Sequence, residues 1–212
     1  MPGKECSAFR VRADLPDHLR GAAATLYWDH FGRQILPLPM KRTRGRKLVA
    51  EALRPAMMLA ALTADSKLIG VLGLRDDRGG ALDHGPDPFA AAFGQRVGRW
   101  LHGATLLYSA GPETCDMVID GLAVLPDWRN RGVGRALIAE ALTHATLRGH
   151  PGLTAEVARR NHGALQFYAT LGFERGALHK IGWPWSGRAR VMRLALQPRS
   201  VGRSSRLPVQ AG

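Results

Sequence analysis

Residues 129 to 136 read RNRGVGRA and lie between an apolar run, MVIDGLAVLP, and an amphipathic one, ALIAEALTHA. Two glycines and three arginines at the junction of a strand and a helix point to anion capture. The first amides of a helix have no intrahelical acceptor, and their dipoles sum toward positive charge at that end. A phosphate seated there collects several hydrogen bonds, with the charge-dipole attraction adding roughly 0.3 to 1 kcal/mol. Gly132 and Gly134 remove side chains that would block close approach, and Arg129, Arg131 and Arg135 raise the local potential. Spacing narrows the choice of anion. A phosphate loop of the form G-x-x-x-x-G-K-[ST] is excluded because no lysine follows Gly134, and a dinucleotide fingerprint, G-x-G-x-x-G/A, meets Leu137 where its third small residue belongs. What remains is R-x-x-G-x-G at Arg129, Gly132 and Gly134.

The segment GLAVLPDWRNRGVGRALI, followed by LTAEVARRNHGALQFYATLGF, closely resembles the acetyl-CoA-binding half of the GNAT superfamily of N-acetyltransferases. Asn161, Ala164, Phe167, Tyr168 and Leu171-Gly172-Phe173 stand in the family's order and distance, so the resemblance covers Met117 to Phe173, about a quarter of the chain. Upstream it rests on the order of strands and helices alone. The resemblance implies an acyltransferase that moves acetyl from acetyl-CoA, without a metal, directly to a primary amine of a small molecule or peptide. It also implies roles. Main-chain groups of Leu122, Ala123 and Val124 would hold the pantetheine arm and acetyl group. The amides of Asn130, Arg131, Gly132, Val133, Gly134 and Arg135 would bind the pyrophosphate, with Arg129 opening the motif. Asn161 matches an asparagine that contacts the coenzyme near the second helix, although a plain helix cap would use the same residue.

Such a transfer makes three chemical demands. An amine must be neutral to attack, yet an alkyl ammonium has a pKa of about 10.4, so only on the order of one molecule in a thousand is reactive near neutral pH without a base. The thioester oxygen gains negative charge and needs donors, which a strand amide such as that of Val124 would supply. The departing thiolate accepts a proton, and Tyr168 matches the family's usual acid in position; its alternative is simple packing with Phe167. Two carboxylates compete for the base. Glu156 sits in LTAEV, where some relatives carry a catalytic glutamate, and Asp120 sits on the preceding strand, where others carry an acid or histidine. The even offset of Asp120 from Leu122 and Val124 predicts that its side chain shares their face, and apolar flanks there would raise a carboxylate's pKa.

The elements that must position these groups are readable from periodicity. AFRVRA reads as a first strand, and Leu15 to Phe31 as a helix with Asp14 or Asp17 as cap. Lys47 to Leu53 reads as a short second helix, and Met57 to Leu62 and Lys67 to Leu74 as strands joined by the turn TADS. Asp87-Pro88 reads as the start of a helix carrying Phe89, Ala92, Phe93, Val97, Trp100 and Leu101 on one face, either a cover for the core or a wall of a substrate pocket. Then follow the strand Met117 to Val124, a helix from Gly134 to Arg148, the strand LTAEV, and a helix from Asn161 to Leu171 ending at Gly172. ALHKIG and RARVMRLAL form strands around WPWSG. The expected fold is α/β (α+β): a single GNAT-like domain over residues 1–197 with a helical insertion at 79–112 and a flexible tail at 198–212. Its central sheet is mixed and mostly antiparallel, of about six or seven strands, splayed between MVIDGLAV and LTAEV.

At 212 residues the chain can bury a real core without staples, and its two cysteines make no disulfide framework or zinc spacing. The N-terminus lacks an apolar signal core and no segment is apolar enough to span a bilayer, so the expectation is a soluble, cytoplasmic protein with no membrane partner. A formal net charge of +13 attracts phosphates, but the charge is arginine-rich and scattered, without a nucleic-acid-binding signature, which disfavours a nucleic-acid partner. Two rivals to the enzyme remain: a GNAT-fold sensor that binds acyl-CoA without transfer, and a basic nucleic-acid-binding module. Acceptor recognition falls to the first helices, residues 79–112 and WPWSG, where Trp183 and Trp185 would line an acceptor mouth or make a homodimer contact.

Overall fold

A computed structural model describes residues 9–36 and 38–196. The expected tail from Pro198 onward, Cys6 and the first residue of AFRVRA lie outside the described residues. Among the described residues seven strands, β1 (Phe9–Ala13), β2 (Met58–Thr63), β3 (Leu68–Arg75), β4 (Met117–Val124), β5 (Gly152–Ala158), β6 (Glu174–Lys180) and β7 (Arg188–Ala195), form one sheet in the order β1-β2-β3-β4-β5-β7-β6. Six α-helices accompany them among the described residues: α1 (Arg20–Ile35), α2 (Arg42–Ala52), α3 (Pro86–Phe93), α4 (Gln95–Ala104), α5 (Val133–Leu147) and α6 (His162–Thr170). Every neighbouring pair of strands is antiparallel except β4 and β5, which α5 connects as a parallel crossover. The expected single α/β domain, with its mixed, mostly antiparallel sheet, is the one observed.

The sheet is covered on both faces, which explains why β2 and β3 read as unbroken apolar runs. On one face α5 and α6 bury Leu137, Ile138, Ala141, Leu165 and Tyr168 against Leu72, Ile119, Leu153 and Val157. On the other, α1 and α2 bury Ala23, Leu26, Tyr27 and Val49 against Ala60, Leu62, Val71 and Ala123. A third cluster, Leu36, Leu48, Phe89, Leu101 and Trp183, ties α3 and α4 to the first two helices.

Local differences from the expected elements have identifiable causes. Neither Asp14 nor Asp17 caps α1; a short 3-10 turn at Asp17–Leu19 precedes it, and Asp17 instead meets Arg20 at 3.4 Å. The second helix starts earlier than expected, at Arg42. The single helix expected after Asp87 is two helices, because Gly94 at φ 82° breaks it. Past the break Val97 and Trp100 turn outward, 51% and 68% exposed, while Phe89 and Leu101 stay in the core.

The closed end of β4 and β5 is fastened by a buried carboxylate. Asp116, 4% exposed, receives Arg193 Nε at 2.6 Å and Nη2 at 3.0 Å, and the Thr154 hydroxyl at 2.8 Å, joining β4, β5 and β7. Burial alone would raise its pKa; the bonds from Arg193 and Thr154 outweigh that and hold it below the ordinary value. A depressed carboxylate pKa contributes stability above the unfolded-state pKa and loses it as pH falls through the folded one. Asp116→Asn should therefore cost about 1 to 2 kcal/mol at neutral pH, lowering Tm by several degrees; half-exposed Arg193 keeps the loss in this range. Thermal unfolding followed by circular dichroism should show the difference from the native chain shrinking as pH drops below the aspartate range; a constant difference would contradict this assignment.

Candidate active site

The site is built around a place where the sheet stops pairing. Parallel β4 and β5 are matched only over Met117–Ile119 and Leu153–Ala155, and beyond them the strands separate. β4 remains paired to β3 as far as Val124. Leu125 N–H donates to Ile69 O at 2.9 Å, and main-chain groups along a strand point alternately to its two edges. The N–H and C=O of Val124 and Leu122 therefore face the gap, while those of Ala123 face β3. Of the three strand residues expected to hold a ligand, two present main-chain groups to the gap.

At the outer end of this gap the chain turns into α5 through two left-handed residues, Asn130 at φ 57° and Gly132 at φ 84°. Gly132 caps the helix, Ala136 N–H donates to Gly132 O at 2.9 Å, and the amides before Ala136 belong to the unsatisfied first turn. A side chain at Gly132 would meet nothing within 4 Å, so this surface is open to a ligand. Gly134 acts differently: a Cβ there would come 3.3 Å from Phe167, so this glycine lets α6 pack closely. Arg129 is exposed and folds back along the surface, with Nε 3.3 Å from Val124 O and Nη2 2.9 Å from His30 Nε2. Guanidinium only donates, so His30 Nε2 accepts and Nδ1 carries the hydrogen to Leu26 O at 2.9 Å. Arg131 lies over the Trp128 ring at 5.5 Å. Asn161 Oδ1 accepts from Ala164 N at 3.1 Å, the plain cap considered for it.

The two candidate bases stand on the opposite face. β4 carries an extra residue opposite β3, since Gly121 pairs with Gly73 and Ile119 with Leu74, leaving Asp120 as a bulge. The bulge shifts the alternation. Asp120 consequently faces the α1 side, not the α5 side where Leu122 and Val124 pack, which corrects the orientation expected from its even offset. Glu156 projects to the α1 side as well, because Ala155 and Val157 on either side of it point to the other core. Arg75 links the pair, with Nε 3.2 Å from Asp120 Oδ1 and Nη2 3.1 Å from Glu156 Oε1.

Each member of this cluster is largely withdrawn from water, and burial sets its chemistry. Burial raises the Glu156 pKa above the ordinary glutamate value; Arg75 opposes that shift and the charge of Asp120 adds to it. Burial would also lower the Arg75 pKa, but the charges of Asp120 and Glu156 more than reverse it and keep the guanidinium protonated. Tyr27 donates its hydroxyl to Asp120 O at 2.8 Å, and burial together with Asp120's charge pushes that phenol well above its usual range. Tyr108 is raised by burial and by Glu156. A Cβ at Gly80 would sit 2.6 Å from Asp120 Oδ2, and one at Gly111 would collide with Glu156 Oε1. Both carboxylates thus rest against glycines of the 79–112 segment.

Tyr168 lies across the sheet from this cluster, 6% exposed and packed edge-on against Phe167 and Phe173. Burial raises its pKa, so the phenol keeps its proton at neutral pH. On the carboxylate side a cavity of about 320 Å³ opens between the sheet and the helices, with Phe31, Leu48 and Phe89 among its apolar lining and Arg75, Asp120 and Glu156 at its floor. Trp183 closes it, its indole N–H fixed on Gln34 O at 2.7 Å; Trp185 stacks on Trp183 but is 66% exposed and is not part of the wall. Residues 79–112 are both core cover and pocket wall. In the sequence Tyr27 reads only as an apolar position of the first helix, Gly80 and Gly111 carry no site signal, and Arg75 stands out only as a charge ending an otherwise apolar strand.

Known proteins resemble this chain in sequence and in fold. A model of the acetyltransferase (GNAT) family matches residues 22–173. A peptidyl-lysine N-acetyltransferase of Salmonella typhimurium is 37% identical over 70 residues, 32% of this chain and 45% of that protein. The ribosomal protein bS18-alanine N-acetyltransferase of Escherichia coli is 33% identical over 76 residues, 35% of this chain and 51% of that protein. The matches thus span about half the length of these curated relatives. Among solved structures, an N-acetyltransferase from Staphylococcus aureus superposes with a TM-score of 0.64 at 15% identity, covering 87% of this chain and 100% of that one, a likeness of fold. No helix among the described residues is long and apolar enough to cross a membrane. With the family model spanning most of its length, the chain belongs to the GNAT family of acetyltransferases.

Proposed function

We propose that this protein transfers an acetyl group from acetyl-CoA directly to a primary amine. The observation that carries the reading is the gap between β4 and β5, which has anion-binding amides at its outer end and two carboxylates on the far face of the sheet. The residues fit the coenzyme: Gly132 leaves open space at the first turn of α5, and Leu122 and Val124 present main-chain groups along the gap. In this reading the amides from Asn130 to Arg135 hold the pyrophosphate and Arg129, braced by His30, supplies charge beside it. The coenzyme brings an acetyl thioester, whose carbonyl is open to attack by an amine.

Glu156 serves as the general base. Its pKa is raised, and Oε2 is the oxygen to which Arg75 makes no bond. It takes the amine proton at Oε2, directly or through a water. Asp120 and Arg75 hold Glu156 in place, and Arg75 balances one of the two negative charges. Val124 N–H, facing the gap, donates to the thioester oxygen as charge develops there. Tyr168, protonated and on the coenzyme side, returns a proton to the leaving sulfur. Base and acid approach from opposite faces, and the gap is where the two faces communicate.

Glu156→Gln should lower kcat/KM by roughly 10²- to 10³-fold while leaving the acetyl-CoA Kd nearly unchanged, as measured by thiol release and calorimetry. Because the ionised carboxylate is the active form and burial raises its pKa, activity should fall with decreasing pH on a limb above the ordinary glutamate range. That limb should vanish in Glu156→Gln and persist in Asp120→Asn; its survival in the former would move the base elsewhere. Gly132→Val, which forces a branched side chain into a left-handed position facing the ligand, should weaken acetyl-CoA binding by roughly tenfold or more in calorimetry. Undiminished affinity would exclude this loop as the pyrophosphate site.

A further inference from the structure

The cavity above the carboxylates restricts what the amine can be attached to. Resting on the acetyl-transfer reading, we propose that the acceptor is a small primary amine on an uncharged, ring-sized apolar body, held in the cavity with its amino group toward Glu156.

Size is the first reason. A dry apolar cavity of about 150 Å³ is enough for benzene, so about 320 Å³ holds one ring with a short aminoalkyl arm. Lining is the second. Phe31, Ile35, Leu48, Val49, Leu82 and Phe89 form an apolar wall, which the polar side chains of Gln34, His84, Thr105 and Tyr108 interrupt. A peptide would bring backbone N–H and C=O groups that need partners, and the apolar wall leaves those that face it unsatisfied.

Charge is the third reason. At the floor two carboxylates face one guanidinium, which favours an incoming ammonium and opposes a carboxylate or phosphate on the acceptor. The third carboxylate of the lining, Asp83, is at the exposed mouth with Oδ1 engaged by Gly85 N–H at 2.8 Å. A second amino group midway along a polyamine would lie against apolar walls. The roof is the fourth. Phe89, Leu101 and Trp183 are packed with Leu36 and Leu48, and Trp183 is fastened to Gln34 O. The helical segment therefore covers part of the sheet and narrows the room for an extended acceptor.

Ala110, an exposed lining residue outside any helix or strand, permits a test that spares the core. Calorimetry with phenethylamine, in the presence of coenzyme A, should show binding to the native chain and binding roughly tenfold or more weaker to Ala110→Phe. Both proteins should bind coenzyme A equally, which verifies the fold. In acetyl transfer, kcat/KM for phenethylamine should exceed that for spermidine, glutamate and a short alanine-headed peptide by roughly tenfold or more. Transfer that favours the peptide or spermidine would overturn this acceptor class and leave acetyl transfer standing. Phenethylamine that binds in the cavity yet is never acetylated would support the cavity assignment and defeat the transfer reading. No phenethylamine binding to the native chain, or equal binding to Ala110→Phe, would overturn the inference whatever the transfer assay shows.

Discussion

Backbone polar groups inside a protein must be paired, and the separation of β4 from β5 leaves a strand edge in the middle of the sheet with no partner strand. The remaining features answer to that constraint. At its closed end Asp116, Thr154 and Arg193 hold the strands together, so the sheet splits at one place instead of fraying. At its open end the first turn of α5 adds unpaired amides to those of Leu122 and Val124. In the proposed reading a ligand with carbonyls and phosphates along its length would satisfy both sets, and a gap that would weaken an ordinary sheet would serve as a binding element.

The bulge at Asp120 places polar groups on the other side of the gap. With regular alternation Asp120 would fall on the α5 side, among Leu122, Val124 and the aromatic residues of α6. The extra residue moves it to the α1 side, where Arg75 joins it to Glu156. A buried carboxylate without a partner costs several kcal/mol, and two side by side cost more. One arginine between them lowers that cost but leaves a net negative charge, so the site retains a tendency to take up a proton. Gly80 and Gly111 complete the arrangement by letting the 79–112 segment close against both carboxylates.

Much of this was legible in the sequence because it depends on local signals. The strand-glycine-helix junction at RNRGVGRA, the cap at Asn161 with its glycine stop at Gly172, and the apolar runs of β2, β3 and β4 each announce themselves by type and spacing. Splaying of the sheet followed from the family resemblance. Alternation along β4 alone assigns Asp120 to the wrong face, because a bulge depends on the register of β3 against β4, and register is a non-local property. The Arg75 cluster was out of reach for the same reason: its members are separated by 45 and 81 residues. The break at Gly94 is masked in the sequence by an apolar face at helical spacing that continues through it.

The central claim is that the outer loop and the interior gap form one continuous donor site. Amide chemical shifts of the protein, followed by NMR during titration with acetyl-CoA, test it most directly. The account predicts that the amides of Gly132 to Arg135 shift together with those of Leu122 and Val124, saturating along a single binding curve. Shifts confined to the loop, with Leu122 and Val124 unmoved, would contradict it.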